Sequence, residues 1–181
     1  RVAAAAAALV GKWTGKEPAV SPNPLPIEQP RLADIERLRS ARVMVTMAGR
    51  GVVELALLTD DAPATVARFV RLARAGYYAG LTFHRVVPNF LIQGGSPGAN
   101  EFMGDGAYLR DEVGLQPHLR GSVGISTRGR DTGDAQICPD LVDNPRLDHD
   151  YTVFARVVAG FDVLDRVLEC DVIERIDIVT R

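Results

Sequence analysis

Thr82–Gly95 reads TFHRVVPNFLIQGG, two short β-prone runs on either side of Pro88-Asn89. Phe83, Val86 and Val87 precede the break, and Phe90, Leu91 and Ile92 follow it. His84, Arg85 and Gln93 are set among them. Successive side chains of a strand face opposite sides. Strict alternation therefore places Leu91 with Gln93 and Arg85 with Phe83 and Val87, with His84 pointing away. A guanidinium beside large apolar side chains describes a concave site that offers fixed donors next to a greasy pocket.

Working outward, the neighbouring segments set the architecture. RVMVTMAGRGVVELALLT gives strands Val43–Met47 and Val52–Leu58, joined at Gly49-Arg50-Gly51 as a hairpin. In DDAPATVARFVRLARAGYYAG, Val66, Phe69, Val70, Ala73 and Tyr77 recur at helical spacing, with Asp60 or Asp61 as the expected cap and Gly76 as the stop. Further strands are expected at 81–87, 90–94, 122–126, 152–157 and 175–180, with a second helix over Asp162–Glu169. Short strands, two helices and no regular βαβ alternation predict a mainly β fold with a closed or sandwiched antiparallel sheet, and barrel closure would remove exposed edges.

The segment before this is different in kind. The Ala-rich RVAAAAAALVGKW is too weakly hydrophobic for a secretory signal and reads as a helix. EPAVSPNPLPIEQP forbids helix and favours extended chain, and LADIERLRSAR aligns Leu32, Ile35 and Leu38 on one helical face. Residues 1–40 are expected to form an arm and 41–181 the folded domain. A first residue of Arg1 rather than Met marks a processed product or a piece of a longer chain, with room for further domains before it.

Composition excludes several classes. Of 181 residues, 46% are apolar and 24% charged, as in ordinary globular chains. The net charge of -2 comes from balanced signs without a basic stripe, so no nucleic-acid partner is expected. No stretch approaches the roughly 20 apolar residues of a membrane span. Cys138 and Cys170 are too few for a disulfide framework or a zinc site, which favours a soluble protein of the cytoplasm over a periplasmic or exported one. DNPRLDHD matches no cation-binding motif and reads as a solvated turn. GGSPGANEFMGDG lacks the Lys-Ser/Thr ending of a phosphate loop and reads as a surface loop.

Several of these stretches together resemble the cyclophilins, the peptidyl-prolyl cis-trans isomerases. YYAGLTFHRVVPNFLIQGGSP is similar to that family's signature, and APATVARFVRLARAGYYAG resembles its first helix. GSVGISTRGRDTGDAQ resembles its central strand and turn, and LDHDYTVFARVVAGFDVLDRV its late strand and second helix. The resemblance implies a closed eight-stranded antiparallel β-barrel capped by two α-helices, and rotation about Xaa-Pro bonds in proline-containing polypeptides, assisting protein folding. It implies Arg85 as the catalytic residue. Phe90, Leu91 and Cys138 would line the proline pocket, with Leu147 and Tyr151 near its rim. Gln93 would hold the substrate backbone, Gln136, Ser126 and Thr127 would run along the groove, and His84 would sit beside it. Neither metal nor organic cofactor is implied.

The chain also departs from that family's pattern. Gln136-Ile137-Cys138 stands where well-known members have Gln-Phe-Phe, which implies a pocket that is enlarged or refilled by a neighbour. Pro139 and Asp140 follow where residues would continue an extended segment. Arg146 occupies the position of a Trp in cyclosporin-sensitive members, so cyclosporin binding is expected to be weak. Tyr151 replaces the usual His, and Ser126-Thr127 replaces Ala-Asn. The alternative reading is a proline-peptide binding module with weak or no catalysis, serving as the C-terminal domain of a larger scaffold.

Overall fold

A computed structural model describes residues 2–20 and 30–180. Helix α1 spans Val2–Thr14 and α2 spans Leu32–Leu38. Most of the Pro-rich linker, residues 21–29, lies outside the described residues. Along α2, Leu32 is exposed, Ile35 is partly covered and Leu38 is buried. Leu38 and Ala41 both belong to the main core, and Arg39 pairs with Asp60 at 2.7 Å.

Eight strands form one antiparallel sheet. They are β1 (Arg42–Met47), β2 (Gly51–Leu57), β3 (Phe83–Val87), β4 (Leu91–Gly94), β5 (Ser122–Ile125), β6 (Ile137–Pro139), β7 (Val153–Ala159) and β8 (Ile173–Val179). The spatial order is β3-β4-β6-β5-β7-β2-β1-β8. In the β1–β2 hairpin, Val43 lies opposite Leu55 and Val45 opposite Val53, which puts the apolar member of each alternation on the concave face. With Ile92, Val123, Ile137 and Phe154 these side chains make the core.

The sheet is a half-barrel, which corrects the expectation of a closed one. Its edge strands β3 and β8 share only the bridge Thr82–Val172 and flanking backbone bonds, such as Ile173 N–H to Leu81 O at 2.8 Å. In an antiparallel register, β8 beyond Ile173 would need partners before Gly80, and that segment is the turn after a helix. The two edges therefore meet end to end rather than side by side.

That helix, α3 (Pro63–Arg74), buries Val66, Phe69, Val70 and Ala73, with the Phe69 ring 5.0 Å from that of Phe154. It ends in a Schellman turn at Gly76 (φ 73°), where Tyr77 N–H reaches Leu72 O and Gly76 N–H reaches Ala73 O. Its start is not capped by Asp60 or Asp61, as spacing predicts. Asp60 is held by Arg39, and Asp61 accepts from Gln116. Glu112, from a distant loop, instead accepts from Ala64 N–H, Thr65 N–H and the Thr65 hydroxyl.

The second predicted helix is a single turn, α4 (Phe161–Leu164). Arg166 and Val167 continue in tighter i to i-3 bonds, and Leu168 N–H goes to the Asp171 carboxylate instead of to the helix. Strand β6 is the element that spacing misses. Just past its end, Asp140 N–H still bonds Ser122 O, so Pro139 does not end the extended run. The missing N–H of Pro139 falls on the side facing β4, whose pairing with β6 is interrupted between Gly94–Ile137 and Leu91–Asp140.

Candidate active site

The β3–β4 ladder decides where Arg85 points. Phe83 lies opposite Gly94, but Arg85 lies opposite Gln93, so β3 holds one extra residue at His84. A bulge reverses the alternation beyond it. Phe83 consequently packs in the core at 2% exposure, and Arg85 is delivered to the opposite, convex face with Gln93, Val87 and Leu91. The strict-alternation reading, which put Arg85 on the Phe83 face, is corrected by this extra residue. His84 is itself buried, and burial holds its imidazole below the ordinary value, so the ring is neutral at neutral pH. The Glu101 carboxylate and the Thr82 backbone oppose this shift, yet among the described residues neither ring nitrogen has an aligned hydrogen-bond partner.

From Arg85 a row of polar groups crosses the sheet. Its Nη1 stands 3.4 Å from Gln93 Oε1, and the Gln93 amide donates to Ser126 Oγ and to Gln136 Oε1, each at 2.8 Å. Gln136 is fully buried, and its own amide donates to Glu101 O and Met103 O. The Glu101 carboxylate closes the circuit at 3.2 Å from Arg85 Nε. Residues from β3, β4, the end of β5, the start of β6 and one long loop thereby converge around a half-exposed guanidinium.

Cys138 faces the same side as Gln136, opposite Gly124 in the β5–β6 ladder. It is half-buried, and burial pushes its thiol up to about 12 against the opposing hydrogen bond from Ser126. Burial likewise takes Tyr77 up to about 12. The folded protein keeps these protons where the unfolded chain loses them, from near pH 9 for the thiol and pH 10 for the phenol. Stability is therefore expected to fall as pH rises from 9 toward 12, by at most about 1.4 kcal/mol per pH unit per group. Melting curves between pH 8 and pH 10.5 check this, and Cys138→Ala should flatten the fall. A Tm independent of pH over that range would contradict it.

Phe90 and Leu91 border the row. Leu91 is buried, and the Arg146 guanidinium covers the Phe90 ring at 4.2 Å. Leu147 is half-buried in the turn Pro145–Leu147. The Tyr151 ring stands edge-on to His118 at 6.3 Å. Thr127 follows Ser126 but makes no hydrogen bond among the described residues.

Beneath this apolar side lies a network that spacing does not single out. Asp140, fully buried, accepts from His118 Nδ1 at 2.8 Å and from Asn144 Nδ2 at 2.7 Å. The same Asn144 amide donates to Phe90 O at 3.0 Å, so the network fixes the backbone that carries the Phe90 ring. An Asp between Pro139 and Leu141 in a short apolar run is the signal that marks it. The acidic turn around it is committed to protein groups: Asp143 to Arg120 N–H, Asp148 to His118 N–H, and Asp150 to Arg130. Among the described residues no cluster of three His, Cys, Asp or Glu could hold a metal ion.

Comparison with known proteins identifies a family. Residues 42–180 match the model of the cyclophilin type peptidyl-prolyl cis-trans isomerase/CLD family. A peptidyl-prolyl cis-trans isomerase of Helicobacter pylori is 39% identical over 145 residues, covering 78% of this chain and 89% of that protein. Peptidyl-prolyl cis-trans isomerase B of Bacillus subtilis is 36% identical, covering 68% and 88%. A crystal structure of a Cryptosporidium parvum cyclophilin type isomerase superposes with a TM-score of 0.72 at 23% identity, over 77% of this chain and 98% of that one, a likeness of fold. The half-barrel, the signature around Arg85 and these relatives place the chain in the cyclophilin-type peptidyl-prolyl cis-trans isomerase family.

Proposed function

We propose that this cyclophilin-type isomerase rotates Xaa-Pro bonds of extended polypeptide segments laid across the Arg85 face. An Xaa-Pro bond resists rotation by about 18 to 20 kcal/mol because amide resonance must be broken, and unaided exchange takes tens of seconds or more. No covalent step is required. A donor placed against the prolyl nitrogen favours the twisted, pyramidal geometry in which the lone pair has left the carbonyl. Arg85 supplies such a donor, charged at any working pH and with several N–H groups in a rigid plane. The observation that carries this reading is the bulge at His84, which turns Arg85 out of the core and into line with Gln93, Ser126 and Gln136.

In this reading Phe90, Leu91 and Cys138 take the proline ring, Leu147 and Tyr151 form its rim, and His84 supports Arg85 from below. Gln93, Gln136, Ser126 and Thr127 take the flanking backbone. Arg85 and Gln93 in one hydrogen-bonded row favour turnover over bare peptide binding. A protease-coupled assay on a proline tetrapeptide tests the proposal, with acceleration of the cis to trans phase as the expected result. A rate equal to that of buffer would reject it.

The isomerase domain is assigned to 41–181 and an appended arm to 1–40, a division supported by the family match starting at residue 42. No helix among the described residues is long and apolar enough to cross a membrane. Two unpaired thiols, Cys138 and Cys170, favour a reducing compartment such as the cytoplasm.

Cyclosporin is expected to bind weakly. The Arg146 guanidinium sits over the Phe90 ring, so the indole donor of sensitive members is replaced by a charge that must be moved or desolvated. Arg146→Trp should strengthen binding at least about tenfold, the equivalent of one good hydrogen bond to a neutral group. Calorimetric titration of both proteins decides this, and tight binding by the parent is the contrary outcome.

A further inference from the structure

Glu101 closes the polar row from outside the apolar pocket, and among the described residues its carboxylate is the one that pairs with Arg85. Its place is fixed by the loop beneath it. Glu101 O accepts from Arg128 Nη1 at 2.6 Å and from Gln136 Nε2 at 3.2 Å. Asn100 Oδ1 accepts from Phe102 N–H and Met103 N–H, which tightens the turn just after Glu101. Arg128 is held in turn by the buried Asp134 at 2.8 Å. Gly104 lets the loop close on that carboxylate, since a Cβ there would fall 2.2 Å from Asp134 Oδ2. The Glu101 backbone is thus set by groups of the connection between β5 and β6, although its side chain is half-exposed.

Resting on the reading of Arg85 as catalytic, we propose that Glu101 is a positioning residue that aims the Arg85 guanidinium. The carboxylate forms its ion pair from the stem side of the fork, 3.2 Å from Nε. Among the described residues Nη1 has only the long 3.4 Å contact with Gln93, so the terminal amino groups remain available to a prolyl nitrogen. An Arg side chain rotates about several torsions, and a partly exposed one samples many of them. Pinning Nε converts it into a preset donor and removes the cost of ordering it during the reaction. The pair does not quench Arg85, because a guanidinium keeps its charge and its terminal N–H groups when Nε is engaged.

The test compares Glu101→Ala, Glu101→Gln, Arg85→Ala and the Arg85→Ala/Glu101→Ala double variant in the proline tetrapeptide assay. Glu101→Ala should lower kcat about fivefold with KM within about twofold of the parent and Tm unchanged. Glu101→Gln, whose amide oxygen can take the place of the carboxylate oxygen beside Nε, should return to within about twofold of the parent rate. In the Arg85→Ala background, loss of Glu101 should cost nothing further, because there is no guanidinium left to aim. Parent or faster turnover in Glu101→Ala overturns the proposal, as does an equal loss in Ala and Gln variants or a full additive loss in the double variant. If Arg85→Ala itself turns over at the parent rate, the catalytic assignment beneath the proposal falls and takes it along. If Arg85→Ala is impaired and Glu101→Ala is not, the positioning role alone is lost.

Discussion

Arg85→Ala is expected to lower kcat/KM for a proline tetrapeptide at least about tenfold while moving Tm by no more than about 2 °C. The two readouts separate because of where the side chain lies. Its ion pair with Glu101 is between two half-exposed groups, a kind of contact worth about 1 kcal/mol or less, and its approach to Gln93 is long. Little of the fold depends on it. In the proposed mechanism the guanidinium meets the prolyl nitrogen mainly in the transition state, so its removal should appear in kcat more than in KM. Arg85→Lys should recover little, since one ammonium cannot hold Glu101 and point a second donor in a fixed plane. Parent-like turnover in Arg85→Ala would remove the mechanism.

Much of this was legible in the sequence, for identifiable reasons. The strands with clear alternation, Val43–Met47 and Val52–Leu58, are found within a residue or so of their predicted ends, because burying one face fixes the register. The amphipathic stripe of α3 was equally plain. What escaped were features set by tertiary partners. No local pattern announces that β3 carries an extra residue at His84, so alternation assigned Arg85 to the wrong face. The cap of α3 arrives from Glu112, some 47 residues from Thr65, while the nearer Asp60 and Asp61 are used elsewhere. Strand β6 was hidden by Pro139, which reads as a breaker until the gap in its β4 pairing is known. Barrel closure was inferred from the need to protect edges, but two edge strands that meet end to end leave a half-barrel. Glu101 looks like one more acid in a glycine-rich loop until Arg128 and Gln136 are seen to hold it.

The largest stability effect is expected at Asp140. Asp140→Ala should destabilise the protein by about 3 kcal/mol, because it leaves the buried His118 Nδ1–H and one Asn144 N–H without an acceptor. For a chain of this size that corresponds to a fall in Tm of roughly 10 °C. The functional consequence should differ from that of Arg85→Ala. Asn144 also donates to Phe90 O, so loosening it frees the backbone that carries the aromatic wall beside Arg146, while Arg85 and Gln93 remain on their own strands. KM should rise several-fold and kcat stay near the parent value, as for a loss of binding shared by ground and transition states. Asp140→Asn, which keeps one acceptor oxygen in the same shape, should lose about half as much stability. Combining Asp140→Ala with His118→Leu should cost less than the sum of the two single changes, since the second removes a donor that the first left stranded. Strict additivity, or an unchanged Tm in Asp140→Ala, would mean that the buried network does not hold the pocket wall in place.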